Sequence, residues 1–299
     1  MKHRIEVLAI DWGTTHRRAY ALDGEGAVVH RVSDGLGASS SRGRFADVLA
    51  QTLLELPAQP QSIVMSGMVG SAMGWHQVPY VDGAVGLEAL AQHCFAVPRS
   101  ESALPAWIVP GYCLRDAQGQ PDVMRGEETQ LLGAMVQGHR DGWFVLPGTH
   151  SKWVQLTDGR VAQLRTYMTG ELFDLLGQHG TIAAAMAGAD AVWDDAAFAE
   201  GVQASASRGL SHRLFSCRAR VVSGAMPASA TRAYLSGLLI GAELHDVQST
   251  GPVRFIGSPA LAAPYQQAAT QLHLTLECLD AEAAYAAAAT HIHHHLPHP

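Results

Sequence analysis

The chain has 299 residues, 47% hydrophobic and 16% charged, with a formal net charge of -7 and 30 glycines. This composition can bury a large core, which excludes disorder, collagen and coiled coil, and its negative balance argues against a protein that binds by neutralising nucleic-acid phosphates. Among the 20 basic residues only Lys2 and Lys152 are lysines, and neither follows a glycine, so the chain has no phosphate loop of the G-x-x-x-x-G-K-[ST] type.

Cys94, Cys113, Cys217 and Cys278 form no C-x-x-C pair and read as reduced, buried thiols. The opening Met-Lys-His-Arg-Ile-Glu puts charge where a signal peptide would be apolar, and no apolar run approaches the ~18 residues of a membrane span. The chain therefore reads as cytoplasmic and soluble, with no membrane partner.

In chain order, Ile5 to Ile10 predicts a strand ended by Asp11-Trp12-Gly13-Thr14-Thr15, with further strands at Arg18 to Leu22 and Ala27 to Val32. Gly35 to Arg44 reads as loop and Phe45 to Leu56 as helix. Ser62 to Met65 is a short strand running into Gly67, Gly70 and Gly74, and a glycine-rich loop after a buried strand suits a ligand. Val78 to Gly119 yields only one strand candidate, Ala106 to Val109. From Glu127 to His139 a helical pattern places Leu131, Leu132, Met135 and Val136 on one face.

The opening pattern then repeats. Trp143 to Leu146, Trp153 to Leu156 and Val161 to Leu164 read as strands, separated by Pro147-Gly148-Thr149-His150-Ser151-Lys152 and by Thr157-Asp158-Gly159-Arg160. Such a duplicated unit predicts two similar halves. Helices follow at Gly170 to Gly177, Asp194 to Ser207, Ser229 to His245 and Asp280 to Thr290, with strand candidates at Ala219 to Val222 and Val253 to Ile256. Gly257-Ser258-Pro259 after the second of these opens a helix, whose unpaired amides suit an anion or adenosine. The end of the chain, with His291, His293, His294, His295 and His298, reads as a disordered tail. Trp12, inside the first turn, is the tryptophan best placed to shield a site from water.

Phosphoryl transfer needs donors aimed at phosphate oxygens, a divalent cation and a base near the acceptor hydroxyl. Gly13 admits backbone amides to the phosphates, Thr14 and Thr15 add hydroxyls, and Asp11 suits magnesium. Gly148, Thr149 and Lys152 offer a second clamp of the same kind.

Ile10-Asp11-Trp12-Gly13-Thr14-Thr15 with Arg18 resembles the first phosphate motif of the sugar kinase, heat-shock protein and actin superfamily. Leu146-Pro147-Gly148-Thr149-His150-Ser151-Lys152-Trp153 resembles its second, and Phe255-Ile256-Gly257-Ser258-Pro259 its adenosine motif. Together with Arg125-Gly126-Glu127-Glu128-Thr129-Gln130 the set is similar to the 2-dehydro-3-deoxygalactonokinase family. The resemblance implies an α/β fold of two ribonuclease-H-like, actin-like ATPase domains, each a mixed five-stranded sheet flanked by helices, with ATP in the cleft between them. Residues 1–125 would bind the sugar acid and carry the first phosphate hairpin. Residues 126–299 would carry the second hairpin and the adenosine motif, with the C-terminal helix returning to the first domain.

It further implies ATP and Mg²⁺ as cofactors, Asp11 as metal anchor, and Gly13, Thr14, Thr15, Gly148, Thr149, His150, Gly257 and Ser258 around the nucleotide. The base falls at Glu127, where the superfamily commonly has aspartate, and Glu127 against Glu128 stays open. Arg18 and Lys152 would meet the transferring phosphoryl group. The acceptor is a sugar acid, 2-dehydro-3-deoxygalactonate, phosphorylated on its 6-hydroxyl. An arginine fork suits its carboxylate, and Arg125 is the first candidate; Gly67, Gly70, Ser71, His150 and Glu171 are candidates for the remaining contacts. A kinase of another sugar, or a non-catalytic nucleotide-binding regulator, shares these motifs. Oligomeric state is open, a homodimer among the options.

Overall fold

A computed structural model describes residues 4–188, 193–206, 209–247, 249 and 251–297. The elements, in order, are β1 Val7–Trp12, β2 Arg17–Leu22, β3 Val28–Asp34, α1 Ala38–Ser41, α2 Phe45–Glu55, β4 Ser62–Gly67, β5 Val81–Asp82, β6 Phe95–Ala96, β7 Ala106–Ile108, β8 Tyr112–Arg115, β9 Pro121–Met124 and α3 Glu127–Val136. There follow β10 Gly142–Leu146, β11 Ser151–Thr157, β12 Arg160–Tyr167, α4 Thr169–Gln178, α5 Gly180–Met186, α6 Asp195–Ser205, α7 Leu210–Val222, α8 Thr231–Asp246, β13 Val253–Ile256, α9 Pro259–Gln271, β14 Leu276–Leu279 and α10 Ala281–His295. By contact they group into two compact units, one from the described residues of Met1–Asp141, Val154–Leu164 and Asp280–Pro299, the other Gly142–Trp153 with Arg165–Leu279.

Two sheets share one plan. The first runs β3-β2-β1-β4-β7-β6 and the second β12-β11-β10-β13-β14. β1 pairs antiparallel with β2 and parallel with β4, as β10 pairs parallel with β13. This antiparallel meander with parallel strands added beyond its first strand is the ribonuclease-H-like order, present twice. The first sheet is six-stranded because the two-residue β6 pairs antiparallel onto β7. A separate small sheet, β5-β8-β9, fills the region that gave only one strand candidate in sequence. β1 and β4 are central, mutually parallel and buried nearly throughout, as central parallel strands are.

In the first unit Leu8, Ile10, Trp12, Phe45, Leu49, Ile63, Met65 and Ile108 form a common core. In the second, Val145, Trp153, Phe198, Leu235, Leu238, Phe255 and Tyr265 do so. Gly201 and Gly237 let α6 and α8 cross backbone to backbone, since a Cβ on either would sit 2.1–2.2 Å from a carbonyl oxygen of the other helix.

Several local expectations are corrected. Ala219 to Val222 is the end of helix α7, not a strand. Leu210, Leu214, Cys217 and Val221 recur at helical spacing and face the core, and the helix stops before Gly224 at φ +76°. The stretch Gly35 to Arg44 contains the short helix α1. The histidine-rich end is not a disordered tail through His295, because α10 continues to that residue with Ile292 fully buried beneath it; His298 and Ser207 lie outside the described residues. Trp12 does not line a site. It is 0% exposed, donates its indole N–H to the Leu36 carbonyl at 2.8 Å and meets the Phe45 ring edge-on.

Helices α3 and α10 pack backbone to backbone at Gly133, where a Cβ would lie 1.7 Å from the Ala284 carbonyl oxygen. Gly133→Ala should therefore cost roughly 3 kcal/mol, the upper end for overpacking. Gly251→Ala, with nothing within 4 Å of the new methyl, should stay within about 0.5 kcal/mol of wild type. Denaturant unfolding of both variants checks the pair.

Candidate active site

The first turn is built from the outside. Ala38 N–H donates to the Gly13 carbonyl at 2.9 Å, Ser39 N–H to Thr14 at 3.0 Å and Gly37 N–H to Thr15 at 3.3 Å. In a trans peptide the C=O and the next N–H point in opposite directions. Capturing these three carbonyls therefore turns the amides of Thr14, Thr15 and His16 the other way, and all three residues are exposed. Consecutive outward amides of this kind form an anion-binding concavity. The arrangement requires Gly37, where a Cβ would lie 2.4 Å from the Thr15 carbonyl carbon, and Gly13, where it would lie 2.9 Å from the His16 carbonyl oxygen.

The second turn repeats the construction. Glu171 N–H donates to the Thr149 carbonyl at 2.9 Å, which turns the His150 amide outward. Gly170 takes the part of Gly37, because its Cβ would lie 2.3 Å from the Gly148 carbonyl oxygen. Gly148 itself has room for a side chain. Nearby, Gly257 lies against Pro147, its would-be Cβ 3.1 Å from Pro147 Cγ. The turn at Gly257-Ser258 thus adjoins the second phosphate turn, and α9 begins there with Pro259 at its first position.

Charged groups of the first unit surround the ends of β1 and β4. Asp11 lies 3.5 Å from Arg18 Nη1, with the two side chains 28% and 54% exposed. Burial raises the Asp11 pKa, and Arg18 offsets this only in part. A carboxylate short of countercharge in this way fits a divalent cation. Strand alternation sends the preceding residue, Arg17, inward: it is 3% exposed and bonds Asp34 at 2.5 Å and Thr52 Oγ1 at 2.6 Å.

β4 ends at Gly67, φ +87°, where a Cβ would strike the Trp12 carbonyl oxygen at 2.7 Å. Gly126, φ +112°, packs against Gly67 and brings the start of α3 to this point. The Glu127 carboxylate accepts the Arg125 backbone N–H at 3.0 Å and is half-buried. Glu128 is fully enclosed, accepting from Gly126 N–H at 2.7 Å, and its pKa is raised to about 8 by burial and by the neighbouring Glu127 charge.

Arg125 donates through Nη2 to the Val78 carbonyl at 2.7 Å and lies over the Tyr80 ring at 4.3 Å, while its buried Nε and Nη1 have no hydrogen-bond partner among the described residues. Gly70 leaves room for it, since a Cβ there would lie 2.7 Å from Nη1. Ser71 directs its hydroxyl to the Met68 carbonyl at 2.8 Å, within its own loop.

In the second unit His150 Nε2 and Glu171 Oε2 meet at 2.6 Å. Lys152 is 7% exposed and donates to Thr166 Oγ1 at 2.9 Å.

A group missed in sequence underlies this unit. Glu243 on α8 is 0% exposed and accepts from Trp153 Nε1 at 2.6 Å and Tyr265 OH at 2.5 Å, with Ser151 and Thr169 as further hydrogen-bond partners. One carboxylate thereby joins β11 after the phosphate turn, α4 at Thr169 and α9 after the Gly257 turn. Its signal was an acid in register with Leu235 and Leu239, at i, i+4 and i+8 on an otherwise buried face.

The profile of a family described as DGOK: 2-keto-3-deoxy-galactonokinase matches residues 11–292. A protein of Rhizobium meliloti (strain 1021) named "Probable 2-dehydro-3-deoxygalactonokinase DgoK1" is 36% identical over 287 residues, 92% of each chain. The 2-dehydro-3-deoxygalactonokinase of Escherichia coli (strain K12) is 33% identical over 297 residues, 96% of this chain and 97% of its own. A Sinorhizobium meliloti crystal structure described under the same kinase name superposes with a TM-score of 0.87 at 35% identity, over 96% of this chain and 95% of its own. No helix among the described residues is long and apolar enough to cross a membrane.

The Glu128 carboxyl sets a pH dependence. Its pKa is about 8 folded against 4.5 unexposed to the fold, so between these values the folded chain holds the extra proton and stability falls as pH rises. The wild-type Tm should therefore decline from about pH 5 to about pH 8 and level off above that, and Glu128→Gln, with no proton to lose, should decline less steeply over the same window. Equal slopes in parallel thermal melts would remove Glu128 as the cause.

Proposed function

The chain belongs to the 2-keto-3-deoxy-galactonokinase family, and on that premise we propose that it transfers the γ-phosphoryl group of ATP to the 6-hydroxyl of 2-dehydro-3-deoxygalactonate in galactonate catabolism. The observation that most supports this reading is the pair of turns whose carbonyls are tied back so that their amides face outward. Phosphoryl transfer depends chiefly on positioning and charge neutralisation, which such turns supply.

In this reading the first unit binds the sugar acid and part of the triphosphate. The amides of Thr14, Thr15 and His16 receive phosphate oxygens. Asp11 holds Mg²⁺, which when bound neutralises triphosphate charge, and Arg18 beside it meets the transferring phosphoryl group. The second unit binds the nucleotide through the His150 amide, the Gly148-Thr149 turn and the Gly257-Ser258 turn at the start of α9, with Lys152 as its phosphate cation. ATP as phosphoryl donor accords with a cytoplasmic enzyme.

Glu127 is the base. It is half-buried and anchored by the Arg125 N–H, whereas the full enclosure of Glu128 keeps it from any substrate. The 6-hydroxyl oxygen bonds to the γ-phosphorus as the bond from that phosphorus to the β,γ-bridging oxygen breaks; the hydroxyl proton passes to the Glu127 carboxylate and ADP departs. Arg125, half-buried beside Glu127, takes the substrate carboxylate, a role supported by the bidentate fit of a guanidinium fork to a carboxylate. The Gly67 to Ser71 loop flanks it.

ADP release measured over a panel of 2-keto-3-deoxy sugar acids and neutral hexoses tests the acceptor, and preference for a hexose would overturn it. Glu127→Gln should lower kcat ~10²-fold with little change in KM, and retention of more than about a tenth of kcat would remove Glu127 as the base. Arg125→Gln should raise KM for the sugar acid and leave KM for ATP within about twofold.

A further inference from the structure

The histidines at the end of α10 have no part in phosphoryl transfer, yet the fold holds them in place. Glu6 leads into β1, and its backbone is fixed by bonds to Leu22, Gln61 and Ser62. Its carboxylate faces His293, whose Nε2 lies 3.9 Å from Glu6 Oε2, the side chains being 16% exposed for His293 and 26% for Glu6. On the other side of the ring Nδ1 meets Ser62 Oγ, the first residue of β4, at 2.7 Å. The His294 ring stands 5.4 Å from that of His293, and one ligand atom each from Glu6, His293 and His294 falls within 4.8 Å of the others.

We propose that Glu6, His293 and His294 bind a zinc ion that fastens the last turn of α10 to the start of the first sheet. Two imidazoles and one carboxylate are a familiar donor set for Zn²⁺, which leaves a fourth position for water. Zinc ligands lie at about 2.0–2.2 Å from the ion, so the three atoms must draw together by a little over 1 Å. His294, on the exposed side, has the freedom to do this. Ser62 supplies the outer support that metal-bound histidines usually have: with Nδ1–H donated to its hydroxyl, the ring is oriented and Nε2 turns its lone pair to Glu6.

A competing cation site exists on the same helix. His291 and His295 stack at 4.2 Å, one turn apart, and an i, i+4 histidine pair can also take zinc. The two sites separate cleanly by mutation.

The test is calorimetric titration of ZnCl₂ into the full chain stripped of metal with a chelator, paired with thermal melts. One zinc per chain should bind and raise Tm. Glu6→Gln and His293→Ala should each weaken binding about tenfold or more and abolish the Tm rise. Ser62→Ala should weaken it by about tenfold, as loss of an outer-sphere partner does. The double variant His291→Ala/His295→Ala should bind as wild type. ADP-release activity of Glu6→Gln and His293→Ala in the absence of zinc, equal to that of the metal-stripped wild type, establishes that these variants are folded. Zinc affinity unchanged in Glu6→Gln and His293→Ala, or lost only in the His291/His295 variant, would overturn the proposal.

Discussion

Peptide planarity is the constraint on which the candidate site rests. A loop cannot present consecutive amides to an anion unless something takes the carbonyls that point the opposite way. Here the chain segment after the third strand of each repeat does so, through residues 37–39 in the first unit and Glu171 in the second. The approach is so close that Gly37 and Gly170 have no room for a Cβ. Each repeat thus carries its functional turn and, roughly twenty residues later, the clamp that gives the turn its polarity.

Buried polar groups hold this arrangement from below. In the second unit Glu243 gathers Trp153, Tyr265, Ser151 and Thr169 on one carboxylate, which ties together the strand after the phosphate turn and the helices beginning at Thr169 and Pro259. In the first, Tyr285 on α10 bonds Ser66 at 2.9 Å, and Ser66 is the β4 partner of Asp11 in the sheet register. Burial raises the Tyr285 pKa, with the Asp11 charge adding to the effect, so the hydroxyl stays protonated and neutral beside an already crowded acid. Beneath the turns, burial pushes the Glu243 carboxyl and the Tyr285 hydroxyl towards their neutral forms, while the Arg17–Asp34 pair under the first turn stays charged.

The sequence made some of this legible. Continuous apolar runs marked β1, β4 and β10, because strands buried on both faces have no polar alternation to disguise them. The repeated strand, Gly-Thr turn and strand marked the two halves. Other features depended on contacts distant in sequence. Gly37 sat inside an apparent loop, and its need for hydrogen at Cα arises only where Thr14 and Thr15 pass. Trp12 looked like a site residue because it adjoins Asp11, yet alternation along β1 sends the two side chains to opposite faces. Ala-Arg-Val-Val resembled a strand because the four residues were read apart from Leu210, Leu214 and Cys217, which set their helical phase. The histidines of α10 looked like tail residues because neither Glu6 nor Ser62 is near them in sequence.

The amide cradle is tested most directly by calorimetric titration of ADP into Gly37→Ala and Gly170→Ala, with a thermal melt to establish that each variant is folded. A methyl at either position displaces the turn that faces the phosphates. Nucleotide affinity should fall at least about tenfold, ~1.4 kcal/mol, in each folded variant. Affinity within about twofold of wild type, less than ~0.5 kcal/mol, would show that ADP does not depend on the outward amides of these turns and would contradict the cradle.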